Sequence, residues 1–202
     1  MKKVLIIVGI VVVLLVAGII FMSSLVPDIK KFEYLNSPQI SSKADQKMIV
    51  VEVTGDPSTA GKKEIGVLFK MFFTLKGKNK DMKMVSLRAR WPKPVETPRE
   101  QWLGIWAMPI SENVTELPDI KSDVAIKIDT WKYGEVAEIL HLGPYSEEAV
   151  TIEKLINHIK SSGYVTSGPH EEEYLKGPGM PFIKPKDYAT IIRYQVKKVK
   201  GK

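Results

Sequence analysis

Residues 168–175 read Gly-Pro-His-Glu-Glu-Glu-Tyr-Leu, three carboxyl groups between a histidine and a tyrosine. Side chains alternate along a β-strand, so His170, Glu172 and Tyr174 share one face while Glu171 and Glu173 share the other. A carboxylate held in an apolar cleft favours a cation, or polarises a water when no cation is bound. The same glutamates could instead form a solvated strand edge, and the pattern alone leaves both open. Tyr145 follows Gly143-Pro144 at a strand-to-helix turn. Its ring can wall a pocket and face a cation, or brace the turn as core. Trp102 and Trp106 are four apart, so in a strand they share a face, as pocket walls or as core. Trp91 precedes a proline-rich loop and could rim the same site. His141 and His158 read as structural, the first alone in a strand and the second on the polar face of a helix. No His/Glu spacing resembles a metal site, and neither a Ser-His-Asp set nor a glycine-rich phosphate loop is evident. No metal and no cofactor is expected. Any hydrolysis would rest on Glu172 as general base beside an aromatic wall.

Positioning these residues takes strands and helices in alternation. Met48–Thr54 is β-rich and ends at Gly55-Asp56-Pro57. A helix follows, with Ser58 or Thr59 as its cap and Ile65, Leu68, Phe69, Phe72 and Leu75 at helical spacing. Lys76–Lys83 reads as a basic, solvated loop. Met84–Trp91 and Trp102–Ile110 read as strands around Pro92, Pro94 and Pro98. Strands over 124–131 and 136–142 then lead to Gly143-Pro144. Ser146 is the expected N-cap of a second helix, with Glu147 and Glu148 in the first turn where the helix dipole favours them. Ile152, Leu155, Ile156 and Ile159 form its apolar stripe, and Gly163 its C′ residue. His170–Leu175 and Tyr188–Val196 close the chain. Laying Gly55 on Gly143 aligns VVEVTGDPSTA with EILHLGPYSEE. The expected fold is α+β: two β-α-β-β repeats with pseudo-twofold symmetry, forming two small sheets that leave a central cleft.

The N-terminus poses a separate question. Val4–Met22 is nineteen residues without a charged or polar side chain. As a helix it would reach about 28 Å, close to the hydrocarbon thickness of a bilayer. No Ala-x-Ala pattern follows, which favours an uncleaved single-pass anchor over a signal peptide. The expected organisation is an anchor at 1–26, a juxtamembrane linker at 27–46, a domain at 47–197 and a basic tail at 198–202. Lys2 and Lys3 face Lys30 and Lys31 across the anchor, a slight bias toward an extracytoplasmic domain. The absence of cysteine excludes a disulfide framework and thiolate metal sites. The net charge of +7 is scattered, and no helix-turn-helix is evident, so a nucleic-acid partner is not expected.

Several segments together resemble the GyrI-like (gyrase-inhibitor-like) small-molecule-binding domain, also the effector-binding domain of some multidrug-responsive transcription regulators. They are Leu140-His-Leu-Gly-Pro-Tyr145, the helix TIEKLINHI, Gly163-Tyr164, Gly168-Pro-His-Glu-Glu-Glu-Tyr-Leu175 and Ile191-Ile-Arg-Tyr194. The stretch 102–115 is similar to the middle of such proteins. The resemblance implies a twofold-repeated β-α-β-β fold around a pocket for amphipathic, often cationic or aromatic, molecules. Some members hydrolyse cyclopropane-bearing alkylating compounds. It also implies a pocket acid before a Tyr-Leu pair, here Glu172. Lys176-Gly-Pro-Gly-Met-Pro departs from the usual pattern, so contacts from that loop are not carried over. The leading expectation is a membrane-tethered module that binds an amphipathic small molecule through Glu172, Tyr174, Tyr145, Trp102 and Trp106. The alternative is a hydrolase with Glu172 as its catalytic residue. Gyrase modulation fits poorly with an anchor.

Overall fold

A computed structural model describes residues 27–94, 96–180 and 182–199, and among these the chain forms eight strands, two α-helices and four short 3-10 helices. The strands are β1 (Gln39–Lys43), β2 (Gln46–Thr54), β3 (Leu87–Trp91), β4 (Leu103–Pro109), β5 (Lys127–Trp131), β6 (Gly134–Leu142), β7 (Tyr164–Lys176) and β8 (Ala189–Lys198). The helices are α1 (Lys62–Lys78) and α2 (Glu148–Ser161). The fold is α+β. The strands form one antiparallel sheet of eight in the order β1-β6-β8-β7-β3-β4-β2-β5. The expected two small sheets are therefore one. Strand β7 starts at Tyr164 and is long enough to pair β8 on one side and β3 on the other, from Leu87↔Tyr174 to Trp91↔His170.

This sheet is strongly rolled. Only Lys132 and Tyr133 separate β5 from β6, and only Ala44 and Asp45 separate β1 from β2, although each pair lies far apart in strand order. Two linking residues reach about 10 Å at most. The two ends of the sheet must therefore curl toward each other and enclose one face. On that face Tyr133 reaches back over the middle strands, donating its hydroxyl to Glu171 on β7 at 2.8 Å.

The helices cover the opposite face in two places. Leu68, Met71, Phe72 and Leu75 of α1 pack on Ile49, Val51 and Met108. Leu155 and Ile159 of α2 pack on Ala137, Ile139, Ile192 and Val196. Between these two cores, β3 and β7 form the floor of an open cleft.

Several local expectations are corrected. The stretch expected as linker carries a 3-10 helix over Ile29–Asn36 and the edge strand β1. Ile29, Phe32 and Leu35 recur every third residue, which suits a 3-10 turn, and they pack on Leu140, Leu175 and Ile191. Neither Ser58 nor Thr59 caps α1. Asp56 instead accepts from the backbone N–H and hydroxyl of Ser58, and Gly61, with φ +88°, is the N-cap. Helix α1 continues to Lys78 and Met82 enters its core, so Lys76–Lys83 is not a free loop. Ser146 lies inside a 3-10 turn over Tyr145–Glu147, and α2 begins at Glu148. Gly163, with φ +77°, ends α2 as expected. Lys197 and Lys198 extend β8, and residues 200–202 of the expected tail lie outside the described residues. So does Val4–Met22. Among the described residues no helix is long and apolar enough to cross a membrane.

Candidate ligand-binding site

A row of side chains crosses the helix-bearing face through the strand pairings Val51↔Trp106, Trp106↔Ala89, Ala89↔Glu172 and Glu172↔Ile192. Val51 and Ile192 belong to the two helix-covered cores. Trp106, Ala89 and Glu172 are the span between them, and they form the cleft floor. The cleft measures about 2520 Å³ and is lined by both helices as well as by β3, β4 and β7. That exceeds the ~300–1,000 Å³ of a drug-sized pocket, so the aromatic and charged middle portion is the part that defines a site.

Glu172 and Tyr174 meet there. The Tyr174 hydroxyl donates to Glu172 Oε2, and His170 Nε2 lies 2.8 Å from Glu172 Oε1. With Nε2–H donating to the carboxylate, His170 Nδ1 accepts from the Tyr194 hydroxyl at 2.8 Å. Burial pushes the Glu172 carboxyl up. His170, the Tyr174 hydroxyl and the Trp91 indole N–H outweigh it and hold the group below its usual value. The Trp91 N–H approaches the carboxylate without completing a hydrogen bond. Glu172 is therefore an ionised acceptor in a mostly apolar hollow. Burial, then the Glu172 charge, keep the Tyr174 phenol far from ionisation.

The rings form a continuous wall. Trp106 stacks on Tyr174 with centroids 5.6 Å apart and planes at 22°. Tyr145 meets Tyr174 edge-on at 5.8 Å and Tyr188 at 5.1 Å. Trp91 contacts both Trp106, at 5.5 Å, and Trp102, at 5.8 Å. Trp91, read as a rim residue, is the junction of the three indoles. Trp102 precedes β4, and its indole N–H donates to Thr97 O at 2.7 Å, which turns it toward the proline loop. Two glycines make room for these rings. A Cβ on Gly104 would lie 2.8 Å from Trp106 Nε1 and 3.0 Å from Trp91 Cζ3. One on Gly177 would lie 2.8 Å from the Tyr145 hydroxyl.

Glu148 belongs to this site although its sequence position suggested a solvated first turn. It is 7% exposed, lines the cleft, and its Oε1 has no hydrogen-bond partner. Burial, then the negative charge of Glu172, push its carboxyl up to about 8. The sequence carries a signal: Glu148, Ile152, Leu155 and Ile159 occupy one helical stripe, with the acid standing where an apolar residue is expected.

Glu171 and Glu173 lie on the other face of β7, held by arginines, and are not a solvated edge. Arg193, 1% exposed, pairs with Glu138 at 2.5 Å, with Glu173 at 3.0 Å and with Glu171. Arg90 pairs with Glu171 at 2.7 Å and lies over the Trp131 ring. This network inside the rolled sheet ties β3, β6, β7 and β8 together, and so fixes the register that turns Glu172 to the cleft. His141 is structural: Nδ1 lies 2.9 Å from Thr151 Oγ1 and Nε2 lies 3.2 Å from Pro144 O, fastening β6 to α2. Among the described residues no three His, Asp or Glu side chains converge as a metal site.

The fold recurs in known proteins. The crystal structure of a hydrolase from Listeria innocua is 21% identical, with a TM-score of 0.67 over 84% of this chain and 99% of its own. A second crystal structure from Listeria innocua, of an uncharacterized conserved protein, is 22% identical with a TM-score of 0.68 over 84% and 99%. The C-terminal domain of EcmrR is 12% identical with a TM-score of 0.55 over 81% and 98%. At these identities the likeness concerns the fold alone. No curated protein matches the chain. A family model, that of the GyrI-like small molecule binding domain, matches residues 36–192. The chain therefore belongs to the GyrI-like small-molecule-binding domain family.

Proposed function

We propose that the cleft binds an amphipathic small molecule that is cationic, aromatic or both, with Glu172 supplying the charge and Trp106, Tyr174 and Tyr145 the flat apolar surface. Trp102 and Trp91 extend that surface toward the proline loop. The observation that carries this reading is the ionised Glu172 set among rings in an open cleft. A ring face attracts a cation by about 0.5–2 kcal/mol, more when water is excluded. The strand order, which reads β6-β8-β7 and then β3-β4-β2, supports two repeats related by a pseudo-twofold through the β3–β7 pair. Fluorescence anisotropy with the cationic dye rhodamine 6G tests the reading. Glu172→Gln is expected to weaken binding about tenfold to 100-fold, through loss of the carboxylate's charge from a partly desolvated site. Equal affinity in the two proteins would overturn it.

The apolar run Val4–Met22 supports tethering of this domain to a membrane, on the extracytoplasmic side by the lysine bias. Retention of the chain in the membrane pellet after alkaline carbonate extraction is the expected result. Release into the supernatant would sink the tether and leave the cleft untouched.

Hydrolysis of a reactive, cyclopropane-type compound is a second reading. It is favoured by the Glu172 carboxylate in the open cleft, where its charge can polarise a water, and by the fold shared with a Listeria innocua hydrolase. Mass spectrometry of such an alkylator incubated with the protein decides it: a hydrated product, lost on Glu172→Gln, is expected, and unchanged compound would exclude turnover of that substrate.

A further inference from the structure

Glu148 has no role in the cleft as described so far. Its carboxyl stands in the wall at the start of α2, 7% exposed, and Oε1 meets no donor. A buried carboxyl oxygen without a partner carries an uncompensated desolvation cost. The groups whose charge or dipole reaches it are Glu172 and Tyr174 from β7 and Tyr145 from the preceding turn, while His170, Tyr188 and Tyr194 line the same cleft. Glu172 already receives His170 at one oxygen and Tyr174 at the other. A cation bearing an N–H thus finds Glu172 as a source of charge with its nearest acceptor sites taken. Glu148 offers the free acceptor.

We propose that Glu148 is the carboxyl that receives the N–H of a cationic amphipathic ligand, and that it gives up its own proton as the cation arrives. The proposal rests on the small-molecule reading above and narrows it to N–H-bearing cations, such as secondary arylamines or amidines, over cations without an N–H. The exchange balances. The Glu148 O–H bond breaks, the proton leaves to buffer, and the ligand N–H donates to the carboxylate. One positive charge enters as one leaves. Burial, followed by the Glu172 charge, holds the free group protonated up to about pH 8, so at neutral pH a proton is there to be displaced.

Isothermal titration calorimetry of the full chain with rhodamine 6G, whose amino groups carry N–H, tests this in phosphate and Tris buffers, whose ionisation enthalpies differ. Release of close to one proton per dye at pH 7 is expected, with affinity rising toward about tenfold per pH unit between pH 6 and 7.5. Glu148→Gln should abolish both while still binding the dye. A parent-only comparison makes the result independent of that variant. Rhodamine 6G is expected to bind several-fold more tightly than tetramethylrhodamine methyl ester, a cation of the same shape without N–H. Binding with no proton release, release that persists in Glu148→Gln, or equal affinity for the two dyes would overturn the role of Glu148 alone. No binding of either dye would overturn the cation-binding reading with it.

Discussion

Trp106 and Tyr174 stack at 5.6 Å with planes at 22°, although their strands are not neighbours: β3 runs between β4 and β7. The rings can meet because the β3 residue between Trp106 and Glu172 in the cross-strand row is Ala89, a residue with 0% exposure and a side chain of one methyl. A small residue on the middle strand is what lets two large ones on flanking strands close above it and form a flat ligand-facing wall.

Ala89→Leu should part these rings. Added methylenes in a packed site cost about 1–3 kcal/mol. We expect that loss in urea melts, together with a fall in rhodamine 6G affinity of more than tenfold. A variant that is destabilised but binds the dye normally would separate the floor from the site.

The pH dependence of stability should carry the mark of Glu148. Its folded carboxyl is raised from 4.5 to about 8, so the folded protein holds a proton that the unfolded chain has lost throughout that window. The stabilisation is complete below pH 4.5 and is lost as pH rises to about 8, by at most about 1.4 kcal/mol per unit. Glu172 acts in the opposite sense. Its lowered folded value gives stability that is present above the ordinary carboxyl range and lost as pH falls through the folded value. Thermal melts of Glu148→Gln should therefore gain on the parent steadily between pH 5 and 8. Parallel profiles would contradict the placement of this acid.

Gly104→Ala should disturb the indole junction. The new Cβ would meet Trp106 Nε1 at 2.8 Å and Trp91 Cζ3 at 3.0 Å, so at least one ring must move. A shifted tryptophan emission spectrum, with a stability loss of about 1–3 kcal/mol, is the expected outcome. An unchanged spectrum would count against this geometry.

Arg193→Met should be the most damaging single substitution of the set. It leaves Glu138 without a cationic partner inside the rolled sheet, and leaves Glu171 with Arg90 and Glu173 with Arg88 as their remaining cations. Removing one partner of a buried pair costs about 3–5 kcal/mol. Because the same network holds β7 in register, dye binding should fall too, and partial restoration of both by adding Glu138→Gln would confirm that uncompensated charge is the cause.

Much of this was legible in the sequence. Strand alternation placed His170, Glu172 and Tyr174 on one face and Glu171 and Glu173 on the other, and the register bears that out. Helical spacing found the buried stripes of α1 and α2. The rest was hidden for physical reasons. Periodicity does not reveal which strands pair, so the β3–β7 junction that makes one sheet of two was not visible. An acid at a helix start looks like a dipole partner, and only the packing of α2 shows Glu148 to be inside. The spacing of Ile29, Phe32 and Leu35 follows a period of three rather than 3.6, so a search for α-helices passes over it.

Adjacent residues of β7 serve opposite sides of the sheet: Glu172 looks into the cleft, while Glu171 and Glu173 are locked to arginines beneath it. Cleft lining and scaffolding are thereby written on alternate letters of a single strand. Substitutions on the even positions change the lining of the cleft while the odd positions keep the rolled sheet tied together. That division lets the cleft lining be altered without disturbing the ion-pair network that holds the backbone, and it marks β7 as the strand on which to test the two separately.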